Sequence, residues 1–271
     1  MKKITIILCT LFAFIAVSFA IYRFYKKYMA PTTPSVEQTD ITIKHLGVIM
    51  DGNRRWAQQT GKAKWLGHKA GVEPLKTTVQ FCLKNNIPYL TAYAWSLENF
   101  KRPQEEQDYL FNVLAQEVAS KEFQELYEHG VKIRFVGDRT MFPPQLVPLF
   151  TDVENRSKDN TKLTLNILFC YAGPQEIIAA ARTLAEKVER HEMKPSDINA
   201  KTFEAATWLG SMPAPDLIIR TGKVNRLSGF LTYQSAHSEL YFMDCFWPEI
   251  TEKHLIKALE DYKNRKRTFG K

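Results

Sequence analysis

The sequence predicts an α/β protein with a central, mainly parallel sheet flanked by helices. Three observations carry that expectation. Short apolar runs of strand length recur from residue 41 onward, segments of helical periodicity lie between them, and the strand–helix spacing suits parallel strands joined by covering helices. The 271 residues suffice for one large domain, and 45% apolar with 24% charged residues excludes a mainly disordered chain.

The expected strands, in order, are His45–Met50 (HLGVIM), Ile87–Trp95 (IPYLTAYAW), Val131–Val136 (VKIRFV), Leu163–Phe169 (LTLNILF), Asp216–Arg220 (DLIIR) and Leu240–Met243 (LYFM). Between the first two, Val72, Leu75, Val79, Cys82 and Leu83 fall on one face of a helix. Pro103 opens another helix, with Glu105 and Glu106 favourably placed in its first turn and His129-Gly130 at its end. Further helices are expected over Pro174–His191 and Thr251–Lys266.

Ahead of this domain, Ile4–Tyr22 runs without a charge, roughly 28 Å of helix against a bilayer core of about 30 Å. Tyr22, Tyr25 and Tyr28 with Arg23, Lys26 and Lys27 resemble an interfacial collar. The expectation is a membrane anchor over residues 1–29, a Pro- and Thr-rich tether over 30–40, and a catalytic domain over 41–271 on the cytoplasmic side. A cleaved signal peptide ending near Ser18-Phe19-Ala20 is the competing reading. Cys82, Cys170 and Cys245 are scattered, suggest neither a metal site nor a disulfide framework, and fit a reducing compartment. Of the formal charge of +8, residues 1–39 hold half, so the domain is only mildly basic and gives no sign of a nucleic-acid partner.

In a parallel sheet, ligands gather at the carboxyl ends of the strands. The first strand is followed by Asp51-Gly52-Asn53-Arg54-Arg55-Trp56, poor core material but suited to an anion, with Asp51 able to hold a divalent cation. A capping Asp51 with solvated arginines is the plainer alternative. The second strand runs into Ser96-Leu97-Glu98-Asn99-Phe100-Lys101-Arg102, again polar and cationic, or simply a capped turn. Arg220 ends the fifth strand, with Arg226, Leu227 and Ser228 shortly after, in an anion site or a solvated loop. Glu239 is either a paired core carboxylate or a second acid of a metal or phosphate site. Jointly these residues describe a pocket for a phosphate ester with a divalent cation. The chain lacks GxxxxGK[ST], GxGxxG and DDxxD, and Asn53 stands where a DxD phosphatase needs its second acid.

HLGVIMDGNRRWA, GHKAG at Gly67–Gly71, YAWSLENFKRP, DLIIRTGKVNRLSGFLTYQ and SELYFMDCFWPE, in that order, resemble the cis-prenyltransferases from about Ile43 to Gly270. The resemblance implies a homodimer, a hydrophobic tunnel, and Mg²⁺-dependent condensation of isopentenyl diphosphate onto an allylic diphosphate such as farnesyl diphosphate. The product would be a polyprenyl diphosphate belonging in membrane lipid. It further implies that Asp51 binds Mg²⁺ with Glu239 as the second metal-associated carboxylate, and that Asn99 takes the place assigned to a proton acceptor. Gly52, Asn53 and Arg55 would cradle the allylic diphosphate, with Arg54, Trp56, Lys64 and His68 beside them. Ser96, Leu97, Glu98, Phe100 and Arg102 fall on the second motif, and Arg220, Arg226, Leu227 and Ser228 on the isopentenyl diphosphate site. Asn is a poor base, so Asn99 is read as positioning rather than proton-accepting.

Departures from the family pattern include Lys64 for Arg, Phe100 for Trp, Val224 for Glu, Pro174 for Arg and Thr268 for Arg. They leave a catalytically silent accessory subunit as the alternative. A Mg²⁺-dependent diphosphate hydrolase is a third, weaker reading.

Overall fold

The computed structural model describes residues 43–265. Six strands form one sheet: β1 His45–Ile49, β2 Tyr89–Ser96, β3 Val131–Val136, β4 Leu163–Tyr171, β5 Leu217–Arg220 and β6 Glu239–Phe242. Their order is β3-β4-β2-β1-β5-β6, and every neighbouring pair is parallel. All six expected strands are present. Helices cover both faces, which is why β1 is buried at every position and β4 at nearly every one. The chain moves from β1 outward to β2 on one side and later to β5 on the other, so β1 lies at a switch point of the sheet. The loops after β1, β2 and β5 therefore share one crevice.

The helices are α1 Asn53–Gln59, α2 Leu66–Ala70, α3 Val72–Lys84, α4 Gln104–Val118, α5 Lys121–Glu128, α6 Val147–Ser157, α7 Gly173–Glu189, α8 Ala200–Ala206 and α9 Glu252–Asn264. The single helix expected from Pro103 to His129 is two, α4 and α5. Ser120 adopts an extended conformation between them and its hydroxyl accepts from Phe123 N at 3.1 Å, capping α5. Helices α1, α2, α6 and α8 were not among the expected elements.

One correction concerns the N-terminus. A membrane-spanning helix ahead of the sheet, and with it a membrane-anchored, cytoplasmic localisation, does not stand: no helix among the described residues is long and apolar enough to cross a membrane. The longest, α7, spans 17 residues and carries Glu176, Arg182, Glu186 and Lys187. The expected anchor at 1–29 and tether at 30–40 lie outside the described residues.

The larger core packs under α3, α4, α6 and α9, with Leu46, Val48, Leu90, Ala92, Ile133 and Leu165 at its centre. Phe135 stacks on Phe150 at 3.7 Å between ring centroids, and Phe142 and Phe169 meet Phe150 edge-on. A smaller core on the opposite face gathers Ile49, Tyr93, Leu168, Tyr171, Ile218 and Phe230. There the fully buried Glu176 accepts from Tyr171 Oη at 2.7 Å, Leu209 N at 3.0 Å and Gln234 Nε2 at 3.0 Å. Its carboxyl group ties α7 to β4 and to the loops before β5 and β6.

Glu176→Ala strands three buried donors at once and is expected to cost at least about 3 kcal/mol. Urea denaturation measures it, and a loss below about 1 kcal/mol would show that water or neighbouring carbonyls replace the carboxyl group.

Candidate active site

Strand β1 ends at Ile49, opposite Arg220 in β5. Two residues later Asp51 is held by its backbone. Its N–H donates to Thr221 Oγ1 at 3.1 Å, and its carbonyl accepts from Thr221 Oγ1 at 2.7 Å and Trp247 N at 3.0 Å. Gly52 then turns the chain into α1 with φ 105°, a conformation costly for any residue with a Cβ. The GHKAG segment serves close approach: a Cβ on Gly67 would lie 1.9 Å from the Asn53 carbonyl oxygen, so α2 can rest on α1 only with glycine there.

Asp51 presents its carboxylate to two guanidinium groups. Arg55 Nη2 donates to Oδ1 at 3.0 Å and Arg220 Nη2 to Oδ2 at 2.7 Å. Arg220 is only 4% exposed, and its other terminal nitrogen donates to Ser228 Oγ at 2.8 Å and to the Arg226 carbonyl. A buried guanidinium thus anchors the loop after β5 to the loop after β1.

A second cluster centres on Glu106, buried in the first turn of α4. One of its carboxylate oxygens lies 3.4 Å from Arg54 Nε, 3.3 Å from Arg102 Nη1 and 3.6 Å from His68 Nε2. The contact with His68 would be an ion pair only if the ring were protonated. Burial, reinforced by the Arg102 and Arg54 charges, pushes the His68 pKa down to about 3. Two guanidinium groups already share that oxygen, and Arg102 Nη1 lies 3.5 Å from His68 Nε2, so the neutral ring is the form that fits. Arg102 also covers the Trp95 ring at 5.4 Å. Beside it, Asn99 Nδ2 donates to Ser96 Oγ at 2.6 Å, which fixes the second-motif turn.

These groups line adjoining cavities. A cationic recess of about 340 Å³ is bounded by Asp51, Gly52, Arg54, Arg55, Lys64 and Arg102. A polar cleft of about 540 Å³ is bounded by Asp51, Ser96, Glu98, Asn99, Arg220, Arg226 and Ser228. An apolar cavity of about 150 Å³ runs between α3, α4 and the sheet, past Leu75, Val79, Leu110 and Phe169. Met50, Asn53 and His68 line all three, and the buried Asn53 Oδ1 has no partner within the protein.

Of the residues singled out from sequence, most come together here, but five do not line these cavities. Trp56 lies under the Lys62 ammonium at 4.9 Å. Leu97 packs on the larger core, Leu227 on the smaller one, and Phe100 meets the Trp95 ring edge-on at 5.6 Å. Glu239 opens β6 opposite Leu217 and pairs with Arg265 at 2.8 Å. It stands three residues before Phe242, the partner of Arg220, and hence about 10 Å away along the strand. The structure does not bring Glu239 to Asp51, and no group of three or more His, Cys, Asp or Glu fit to hold a metal occurs among the described residues. Conversely, Glu106 and Thr221 belong to the site although the sequence reading gave them no role there. The spacing of four between Arg102, just ahead of α4, and Glu106 in its first turn was the available signal for Glu106.

The family model described as "Putative undecaprenyl diphosphate synthase" matches residues 49–270. The chain belongs to that family. It is accordingly a prenyl transferase, an enzyme of the cis-isoprenyl diphosphate synthase class. It is 40% identical over 227 residues to a ditrans,polycis-undecaprenyl-diphosphate synthase ((2E,6E)-farnesyl-diphosphate specific) of Xanthomonas axonopodis pv. citri, covering 84% of this chain and 88% of the relative. An isoprenyl transferase of Caulobacter vibrioides is 41% identical over 226 residues, covering 83% and 87%. Among solved structures, lavandulyl diphosphate synthase from Lavandula x intermedia, in complex with dimethylallyl diphosphate, superposes with a TM-score of 0.82 at 31% identity. That match covers 86% of this chain and all of the other. A probable undecaprenyl diphosphate synthase from Campylobacter jejuni gives 0.68 at 29% identity, covering 84% and 99%.

The His68 environment sets a pH dependence for this prenyltransferase. Unfolded, the ring takes up a proton below about pH 6.5; folded, it does so only near pH 3. Its contribution to stability is therefore complete above about pH 6.5 and is lost progressively as pH falls toward 3. An NMR titration of the His68 ring should show it neutral at pH 5; a midpoint above 6 would contradict the assigned environment.

Proposed function

We propose that the enzyme condenses isopentenyl diphosphate onto an allylic diphosphate such as farnesyl diphosphate, with Mg²⁺, to give a cis-polyprenyl diphosphate. The observation that carries this reading is the junction at Met50, Asn53 and His68, where a cationic recess, a polar cleft and an apolar cavity meet. Only a ligand with an anionic head and a hydrocarbon tail uses all three, and the polar side is roomy enough for two heads.

In this reading Arg54, Arg55 and the Asn53 amide hold the allylic diphosphate in the recess. Arg220, Arg226 and Ser228 hold the second diphosphate in the cleft. Arg220 needs no reorganisation to do so, since Asp51, Ser228 and the Arg226 carbonyl already fix its plane. As the allylic C–O bond breaks, negative charge grows on the departing diphosphate, and guanidinium groups aimed at it beforehand stabilise that charge. The homoallylic double bond then forms the new C–C bond, and a proton leaves its C2. Asn99, tied to Ser96, orients the substrate rather than accepting that proton, so a diphosphate oxygen or water takes it.

Asp51 suits Mg²⁺ by its chemistry. It is a part-exposed carboxylate, each of whose oxygens keeps a lone pair beyond its arginine contact, and Mg²⁺ is commonly bound by one or two carboxylates plus substrate phosphates and water. When bound, the ion would supply Lewis-acid stabilisation of diphosphate charge. An intact Asp51–Arg55–Arg220 set speaks against the silent-subunit alternative.

Asp51→Ala is expected to lower turnover by at least about 10²–10³-fold, measured by incorporation of radiolabelled isopentenyl diphosphate onto farnesyl diphosphate, while circular dichroism stays unchanged. Activity within about threefold of the parent would remove Asp51 from the machinery. EDTA should likewise stop incorporation and millimolar Mg²⁺ restore it; EDTA-resistant turnover would contradict the metal's role.

A further inference from the structure

The apolar cavity contains one pair of charges that the chemistry above does not use. Lys76, in the second turn of α3, and Glu117, in the last turn of α4, both line it. Lys76 Nζ lies 3.7 Å from Glu117 Oε2, and their side chains are 21% and 24% exposed. Among the described residues this ion pair is the polar contact joining α3 to α4. Apart from the neutral His68 at the site end, no other ionisable side chain borders the cavity.

Position and volume give the pair a consequence. Glu117 lies eleven residues beyond Glu106 on α4, about 16 Å along the helix axis from the site. A hydrocarbon that enters past Met50 and grows between the helices must reach it. The cavity holds about 150 Å³, a size at which an apolar void takes one benzene-sized group. A longer tail fits only if α3 and α4 move apart, and the pair is the bond that resists this. A tail passing the pair must also strip water from two charges, which apolar burial does not compensate.

We propose that the Lys76–Glu117 ion pair is a specificity-determining latch that limits how long a prenyl chain the cavity accepts. The inference rests on the reading of this cavity as the seat of the hydrocarbon.

The test compares the parent with Lys76→Leu/Glu117→Leu, which removes the latch and leaves an apolar wall, and Lys76→Glu/Glu117→Lys, which restores it reversed. Product lengths are read by chromatography of radiolabelled prenyl diphosphates. In parallel, binding of prenyl alcohols from farnesol upward is read by quenching of tryptophan fluorescence, since Trp95 and Trp247 border the cavity. A part-exposed pair of this kind is worth about two- to fivefold in an equilibrium constant. The double leucine variant should make products longer by at least one isoprene unit and raise the long-to-short affinity ratio about two- to fivefold. The reversed pair should match the parent in both. Equal product lengths and equal affinity ratios for all three proteins would overturn the latch. If the parent forms no product at all, the substrate reading fails separately, and the alcohol titration still decides whether the pair gates the cavity.

Discussion

A guanidinium group taken almost wholly out of water needs compensation for every N–H it carries, and this requirement organises the rim of the sheet. Arg220 meets it at its two terminal nitrogens, which reach Asp51 after β1 and Ser228 and the Arg226 carbonyl in its own loop, while its buried Nε has no partner in the protein. Because β1 and β5 are neighbours in register, that bond network is also a positional statement: the loops after the two strands are locked face to face. Thr221 adds a reciprocal pair of hydrogen bonds to the Asp51 backbone, and Trp247 ties the same carbonyl to the segment before α9.

Much of this was legible in the sequence, for identifiable reasons. Strands buried on both faces, as β1, β4 and β5 are, read as continuous apolar runs, and the polar residues that follow such runs stand out against them. The break between α4 and α5 was harder to see because Ala119-Ser120 interrupts no hydrophobic periodicity; its cause is a cap formed by one hydroxyl. Glu106 was hidden for a related reason. An acid in the first turn of a helix already has a local explanation, and its burial against Arg54, Arg102 and His68 arises only when three segments converge. Glu239 is placed differently from what its motif suggested. Its motif suggested a metal carboxylate, yet the strand begins with it, far from the carboxyl end where Asp51 lies, and Arg265 pairs with it there. The membrane helix was inferred from composition outside the domain, and no described helix has that character.

The site's layout separates two problems that a lipid diphosphate poses together. Charged heads need donors fixed in advance, and rigid strand ends with paired arginines provide them. A lengthening tail needs an apolar seat, and in the proposed reading the cavity between α3, α4 and the sheet would be where it begins. The residues common to both regions, Met50, Asn53 and His68, are an apolar chain, an amide and a neutral imidazole, so charge does not intrude where head meets tail.

A crystal structure of the enzyme with Mg²⁺ and the thiolo analogue of farnesyl diphosphate tests that division of labour most directly. The account predicts the diphosphate among Asn53, Arg54 and Arg55, with the farnesyl tail entering beside Met50 and running between α3 and α4. A tail lying over the outer surface, or a diphosphate seated away from the Asp51 rim, would contradict it.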